Sequence, residues 1–353
     1  MADRRPLGFR HRDAEPASAQ ADAPANDSTT LDDKAAAALL PERPARGHKG
    51  TFGKVLVIAG SLDYAGAALL VCRAAGRAGA GLVTLAVPES LQPLFAAKVV
   101  EATTMALPED DVEEVDPEPS LARILDHEHD AMVVGPGLRP GLATAELVRM
   151  LVTASDGDAT QPPMVLDAEA LRSMATFGEW WTMTTRSCVL TPHPGEFERL
   201  REGSGLEPDE PQDLTADDGA RLAAASAAAT AWNQVVVLKG AKTVIAEPDG
   251  TVTTAPFENP ALASGGTGDV LAGIIGALLA QGLAPGPAAR LGVYLHGSAG
   301  ELVRERLGDA GLLASDLPES LPTVRKRLVN LADRQKSSKK VGFAVRDGEG
   351  SGS

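Results

Sequence analysis

Aromatic side chains are nearly missing from this sequence: they make up 3% of 353 residues, against 44% hydrophobic residues in all. A core of that composition must be built from Ala, Val, Leu and Ile. Cysteine is scarcer still. Cys72 and Cys188 show no CxxC spacing, which excludes a disulfide framework or a zinc cluster and fits a reducing cytoplasm. Basic charge is in deficit, with 33 Lys and Arg against 48 Asp and Glu, a net -15. No field is available to neutralise phosphates along a strand, so no nucleic-acid partner is expected. Long apolar runs are missing too. The longest, 270–281, is too short and too glycine-rich to span a bilayer, and the N-terminal segment has no apolar stretch of a secretory signal. A soluble cytoplasmic protein with no membrane partner is expected.

What is present falls into three parts. Residues 1–35 are rich in Ala, Asp, Pro and Ser and read as a disordered arm, and 333–353 read as a disordered tail. The acidic run "PEDDVEEVDPEPS" (108–120) reads as solvated surface. Between the ends, over 38–330, short β-branched runs alternate with Ala/Leu-rich segments. "KVLVIAGS" (54–61), "LVTLAVP" (82–88), "AMVVGPG" (131–137), "MVLDAE" (164–169), "CVLTPH" (188–193) and "VVVLKGA" (235–241) read as strands. "TVIAEP" and "TVTTAP", separated by "DG", read as an antiparallel hairpin. Continuous apolar strands alternating with helices predict an α/β fold, a mostly parallel central sheet with helices on both faces. Ligands of such sheets lie beyond the carboxyl ends of the strands, so the strand exits are where chemistry is expected.

Two glycine-rich stretches carry none. "GHKGTFGKV" (47–55) has no glycine five residues before Gly53 and precedes a strand, unlike a P-loop, and "GRAGAG" (76–81) ends a helix. "SGGTGD" (264–269) is different. Gly265, Gly266 and Gly268 let successive amides converge on one point, and the helix starting there adds the positive end of its dipole. Together they form an anion site, and the anion in such a site is most often a phosphate. The helix behind has Val270, Leu271, Ile274, Ile275, Leu278 and Leu279 on one side and Ala272, Gly273, Gly276 and Ala277 on the other, so it must be buried all round. Asp269 could cap that helix. A carboxylate beside an anion site at a desolvated helix mouth is better explained as a base that takes a proton from a hydroxyl attacking phosphorus.

Other exits supply weaker signals. Lys239, Gly240, Ala241, Lys242 and Thr243 could steady nucleotide phosphates, or form a solvated surface turn. "TPHPGE" offers His193 and Glu196 at a rigid strand-to-helix junction. Glu196 reads either as an acid of the helix N-terminus or as a holder of Mg²⁺ through water. Ala67 and Gly137 make room for a ligand, and His296 reads as packed rather than catalytic.

Taken in order, "HKGTFGKVLVIAGSLDYAGAALL", "GPGL", "LDAEAL", "TPHPGEFERL", "VVLKGAKTVI", "NPALASGGTGDVLAGIIGALLAQG" and "LHGSAGELV" closely resemble the ADP-dependent NAD(P)H-hydrate dehydratases of the ribokinase-like superfamily. The resemblance implies a ribokinase-like fold and a repair reaction. The (S) epimer of NADHX or NADPHX, which carries a hydroxyl on C6 of the nicotinamide ring, is returned to NAD(P)H while ADP gives AMP and phosphate. It implies Asp269 as the base, the amides of Gly266, Thr267 and Gly268 as the anion hole, and Lys239, Gly240, Ala241, Lys242, Thr243 and Gly268 as contacts to the adenine nucleotide. It implies Ala67, Gly137, His193 and Asp269 around the hydrate, with Mg²⁺ required and a homo-oligomeric assembly. An arm of about 35 residues has no room for a fused epimerase domain, so a separate NAD(P)HX epimerase is expected. Ala261 and Leu262 stand where the family has a Gly-Met pair. A ribokinase-like kinase of a vitamin precursor alcohol, or a catalytically silent nucleotide-binding regulator, are the competing readings. "TPHPGE" and the intact Asp269 speak against them.

Overall fold

The computed structural model describes residues 28–154, 161–208 and 210–346, with side chains as far as Gln335. In chain order the strands are β1 (Thr29–Thr30), β2 (Lys54–Ile58), β3 (Leu82–Pro88), β4 (Thr103–Leu107), β5 (Glu109–Asp111), β6 (Glu114–Val115), β7 (Ala131–Val134), β8 (Met164–Leu166), β9 (Cys188–Leu190), β10 (Val235–Leu238), β11 (Val244–Ala246) and β12 (Val252–Thr254). The helices are α1 (Asp33–Ala38), α2 (Ala65–Ala78), α3 (Gln92–Ala96), α4 (Pro117–Asp126), α5 (Leu142–Thr153), α6 (Glu169–Met174), α7 (Trp180–Met183), α8 (Pro194–Arg201), α9 (Asp218–Trp232), α10 (Thr267–Ala280), α11 (Pro285–Leu307) and α12 (Asp316–Arg346).

Apolar runs without a polar alternation can be satisfied only in a sheet covered on both sides, and that is where they lie. Ten strands pair in the order β1-β12-β11-β10-β9-β8-β7-β2-β3-β4. All pairs are parallel except β10–β11 and β11–β12, the expected hairpin. Side chains alternate between faces. Val55 and Val57 of β2 join the core under α2, α10 and α11, whereas Leu56 and Ile58 join the core under α4, α5 and α9. The chain leaves β2 toward β3 and β4 on one side, then returns to β7 and runs to β10 on the other. The reversal opens a crevice between the carboxyl ends of β2 and β7, bridged by the Gly60 N–H, which donates to Pro136 O at 2.9 Å.

Helix α10 is buried from Val270 through Ala280. Each of its large aliphatics stabilises the fold by about 1.5–3 kcal/mol. Its small side is needed for space. A Cβ on Gly273 would meet Val71 O of α2 at 2.5 Å, and one on Gly276 would overlap Val133 of β7.

The chain ends differ from expectation. Residues 1–27 and 347–353 lie outside the described residues. Thr29 and Thr30, placed in the arm by composition, pair with Thr253 and Thr254, and Asp32 caps α1 by accepting from Ala35 N at 2.7 Å. At the other end α12 runs to Arg346, well into the expected tail. Lys, Arg, Gln and Ala are good helix formers without an apolar repeat, which is why composition alone misreads this stretch. The acidic run is in part β5 and β6, an antiparallel hairpin followed by α4.

Candidate active site

The glycine turn sits where the exits of β7, β8 and β10 face the mouth of α10. Its conformational demand is narrower than three glycines suggest. Of Gly265, Gly266 and Gly268, only Gly266 has a positive φ, at 88°, as the residue before the first turn. Gly268 lies beside the charged pair, since a Cβ there would sit in ordinary van der Waals contact, 3.4 Å from Lys239 Nζ and 3.9 Å from Asp167 Oδ2. Thr267 is turned inward. Its hydroxyl donates to Leu262 O at 2.8 Å and its amide points to Ser264 O at 3.4 Å. Thr267 thus staples the turn, where its amide was expected in the anion hole. The first ladder amide of α10 is Val270 N–H, donating to Gly266 O at 3.3 Å, so the amides of Gly268 and Asp269 precede the ladder and are available to an anion.

Asp269 is half-buried in this first turn. Burial, reinforced by the nearby charge of Asp167 and opposed by Lys239, raises its carboxyl from the ordinary range to about 7. An acid at that value is about half ionised at neutral pH, so it is poised both to take a proton and to give it up. Lys239 lies in the same pocket of charge. Its Nζ is 2.8 Å from Asp167 Oδ1 and 3.6 Å from Glu196 Oε2. Burial pulls this ammonium down, but Asp167, Glu196 and Asp269 outweigh it and hold it above its usual value.

Asp167 is a buried charge at this site that sequence reasoning did not single out. Its exposure is 1%, and a buried charge at a strand exit needs a partner. Ala168 beside it adopts φ 49° and ψ -117°, a backbone state that side chains resist and that clusters at functional sites. Gly135 holds Asp167 from the other side, because a Cβ at its φ of 119° would overlap the Asp167 carbonyl oxygen. Gly135→Ala is therefore expected to cost about 3 kcal/mol from combined strain and overpacking. The check is a denaturant melt, in which an unchanged midpoint would contradict the contact.

His193 and Glu196 settle as a reciprocal cap on α8. The His193 Nδ1 accepts from the amides of Gly195 (3.1 Å) and Glu196 (3.3 Å), and Glu196 Oε2 accepts from His193 N–H at 2.9 Å. Of the two roles open to Glu196, the structure shows the helix acid, with its carboxylate also turned to Lys239.

The other expected residues separate into two groups. Ala67 and Gly137 are brought together at the crevice: a Cβ on Gly137 would touch Ala67 Cβ at 2.8 Å. One turn further along α2, Leu70 packs on Gly266 and ties this wall to the glycine turn. Lys242 points elsewhere, into a solvent-facing pair with Glu258 (2.7 Å) and Asp218 (3.1 Å). Gly240 and Ala241 are exposed backbone, and the Thr243 hydroxyl donates to Gly240 O at 3.0 Å. The buried Arg221, also unremarked in sequence, shapes this loop by donating to Ala241 O and to Leu238 O.

The sheet with its reversal, the helix-capping glycine turn and the half-buried acid define a ribokinase-like domain, the fold of solved neighbours. The chain belongs to the NAD(P)H-hydrate dehydratase family, whose model matches residues 55–323. It is 43% identical over 292 residues to the bifunctional NAD(P)H-hydrate repair enzyme of Moorella thermoacetica, covering 82% of this chain and 52% of that protein. The chain thus spans about half the length of the bifunctional relatives it matches. It is 37% identical over 291 residues to the ADP-dependent (S)-NAD(P)H-hydrate dehydratase of Bacillus subtilis, covering 82% and 95%. The crystal structure of the ADP/ATP-dependent NAD(P)H-hydrate dehydratase from Bacillus subtilis, co-crystallized with ATP/Mg²⁺, matches with a TM-score of 0.70 at 35% identity, over 86% of this chain and 99% of that one.

Proposed function

We propose that the chain dehydrates (S)-NADHX and (S)-NADPHX at the expense of ADP. The observation that carries this reading is Asp269, an acid held near neutrality beside unladdered helix amides and the pinned ammonium of Lys239. In this reaction the C6 hydroxyl gives its proton to Asp269 as its oxygen bonds to the β-phosphorus of ADP. The bond from that phosphorus to the bridging oxygen breaks and AMP leaves. The phosphate ester on C6 is a better leaving group than hydroxide. Its departure, with loss of a proton from the adjacent ring carbon to solvent, restores the double bond of NAD(P)H. The amides of Gly268 and Asp269 hold the transferring group, and Lys239 balances its charge. Gly240, Ala241 and Thr243 line the adenine nucleotide, while Ala67, Gly137 and His193 line the hydrate.

Mg²⁺ enters this reading with the nucleotide. Among the described residues no group of three His, Cys, Asp or Glu side chains could hold a metal ion, and the site's acids Asp167 and Glu196 are already turned to Lys239. The protein donors do not make a resident metal site, and Mg²⁺ characteristically travels on phosphates. We further propose a homo-oligomer of the cytoplasm, with (R) hydrate supplied through a separate epimerase. Exposed Leu62, Tyr64 and Leu142 support the oligomer, and the two free, buried cysteines support a reducing compartment. No helix among the described residues is long and apolar enough to cross a membrane.

The test is to incubate the pure protein with NADHX, Mg²⁺ and either ADP or ATP. NADH absorbance is expected to return with ADP. A phosphorylated hydrate without NADH would instead indicate a kinase, and no reaction with either nucleotide would sink the proposal.

A further inference from the structure

Helix α11 packs on α10 mainly through apolar contacts, such as Gly292 against Ile275. One polar ring breaks that pattern. His296 reaches back to the first turn of α10, and its Nε2–H donates to the Thr267 carbonyl at 2.9 Å. A carbonyl only accepts, so the neutral ring must carry its proton on Nε2. Burial, opposed by the Thr267 carbonyl and assisted by Lys239, pushes the imidazolium down to about 4, so the ring is neutral throughout the neutral range.

The bond matters because of which peptide it touches. The Thr267 carbonyl belongs to the same peptide unit as the Gly268 N–H. That carbonyl already has a helical partner four residues on, so His296 is a second donor to it. A donor on the oxygen fixes the peptide plane and draws electron density from the nitrogen, which strengthens the N–H as a donor. Gly268 N–H is one of the amides ahead of the ladder, on a residue whose α-carbon faces Lys239 and Asp167. A ring placed here for packing alone would not need a nitrogen aimed at this carbonyl.

We propose that His296 is a positioning residue of the anion site, orienting and polarising the Thr267–Gly268 peptide whose N–H meets the transferring phosphoryl group. This rests on the reading of the glycine turn given above, but its test does not depend on the hydrate. His296→Leu removes the donor at similar bulk, His296→Met does so with a more adaptable side chain should the Leu variant fold poorly, and His296→Gln keeps an N–H at comparable reach. Losing a whole anion-hole donor costs about 10²–10³ in rate, so weakening one is expected to cost about tenfold in kcat with KM for ADP little changed. Calorimetric titration of AMP with orthovanadate reads the anion site directly. Binding of vanadate beside AMP is expected to weaken about tenfold in the apolar variants and to recover in His296→Gln, with AMP alone unaffected. Wild-type vanadate binding in the apolar variants, or no recovery with Gln, overturns the proposal. If the wild-type protein leaves NADHX untouched while the vanadate pattern holds, the dehydratase reading fails and the role of His296 stands.

Discussion

Asp269→Asn is expected to bind ADP within about threefold of the unmodified protein while losing about a thousandfold in turnover, the middle of the range for removing a general base. Two further readouts separate chemistry from capping. The base must be ionised to work, so activity of the unmodified protein should fall as pH drops through about 7, the value to which burial and Asp167 raise Asp269. That acid limb should vanish in the variant. Stability carries the opposite sign. With a folded value above the unfolded one, the carboxyl holds more protons in the folded state between about pH 4 and 7, so its contribution to stability falls as pH rises across that window. Asparagine escapes this loss, and the variant should melt at or above the temperature of the unmodified protein at pH 8, with the difference closing below pH 4. A simple cap predicts the reverse: near-normal turnover and a lower melting temperature at every pH. Kinetics and thermal melts on one pair of proteins decide between them.

The same residues show what a sequence can and cannot disclose. The central strands were legible because burial on both faces leaves no room for a polar alternation, and runs such as 55–58 and 131–134 have none. Helix α10 and its mouth were legible because an all-apolar helix needs a special entry. Asp167 was missed because its meaning lies in a contact with Lys239, 72 residues away. A usable signal did exist. Parallel strands β8, β9 and β10 are neighbours, so their exits pool Asp167, the His193–Glu196 cap and Lys239, and a lone acid after an apolar run invites a search for its cation at adjacent exits. The His296 bond had no such signal, since the rotation of α11 against α10 depends on packing between helices. Nor did the pairing of Thr29 and Thr30 with β12, a two-residue match across most of the chain. At Gly268 neither backbone nor space requires glycine, since its φ is not positive and a Cβ would meet Lys239 Nζ only at van der Waals distance.

Lys239→Met tests whether these charges form one device. The ammonium is the shared counter-ion of Asp167, whose side chain is 2% exposed, and Glu196, at 8%. Removing one partner of a buried pair strands the other and costs about 3–5 kcal/mol, and the partial exposure of Lys239 favours the lower end. At about 3 kcal/mol, a domain of this size should lose about 5 °C in melting temperature at pH 8. The ammonium's folded value is raised, so the stability it contributes is fully present below its unfolded value and is lost only as alkaline pH passes the folded one. The deficit of the variant should accordingly be large at neutral and mildly alkaline pH and should close only at strongly alkaline pH, where the unmodified protein loses its own ammonium. Catalysis adds a second signature. Lys239 opposes the upward shift of Asp269, so residual activity should show its acid limb moved above pH 7. A variant that melts normally would mean the pair is solvated and idle. One that melts early but keeps its acid limb in place would mean Lys239 braces the fold without tuning the base. Only both changes together make Asp167, Lys239 and Asp269 a single electrostatic unit.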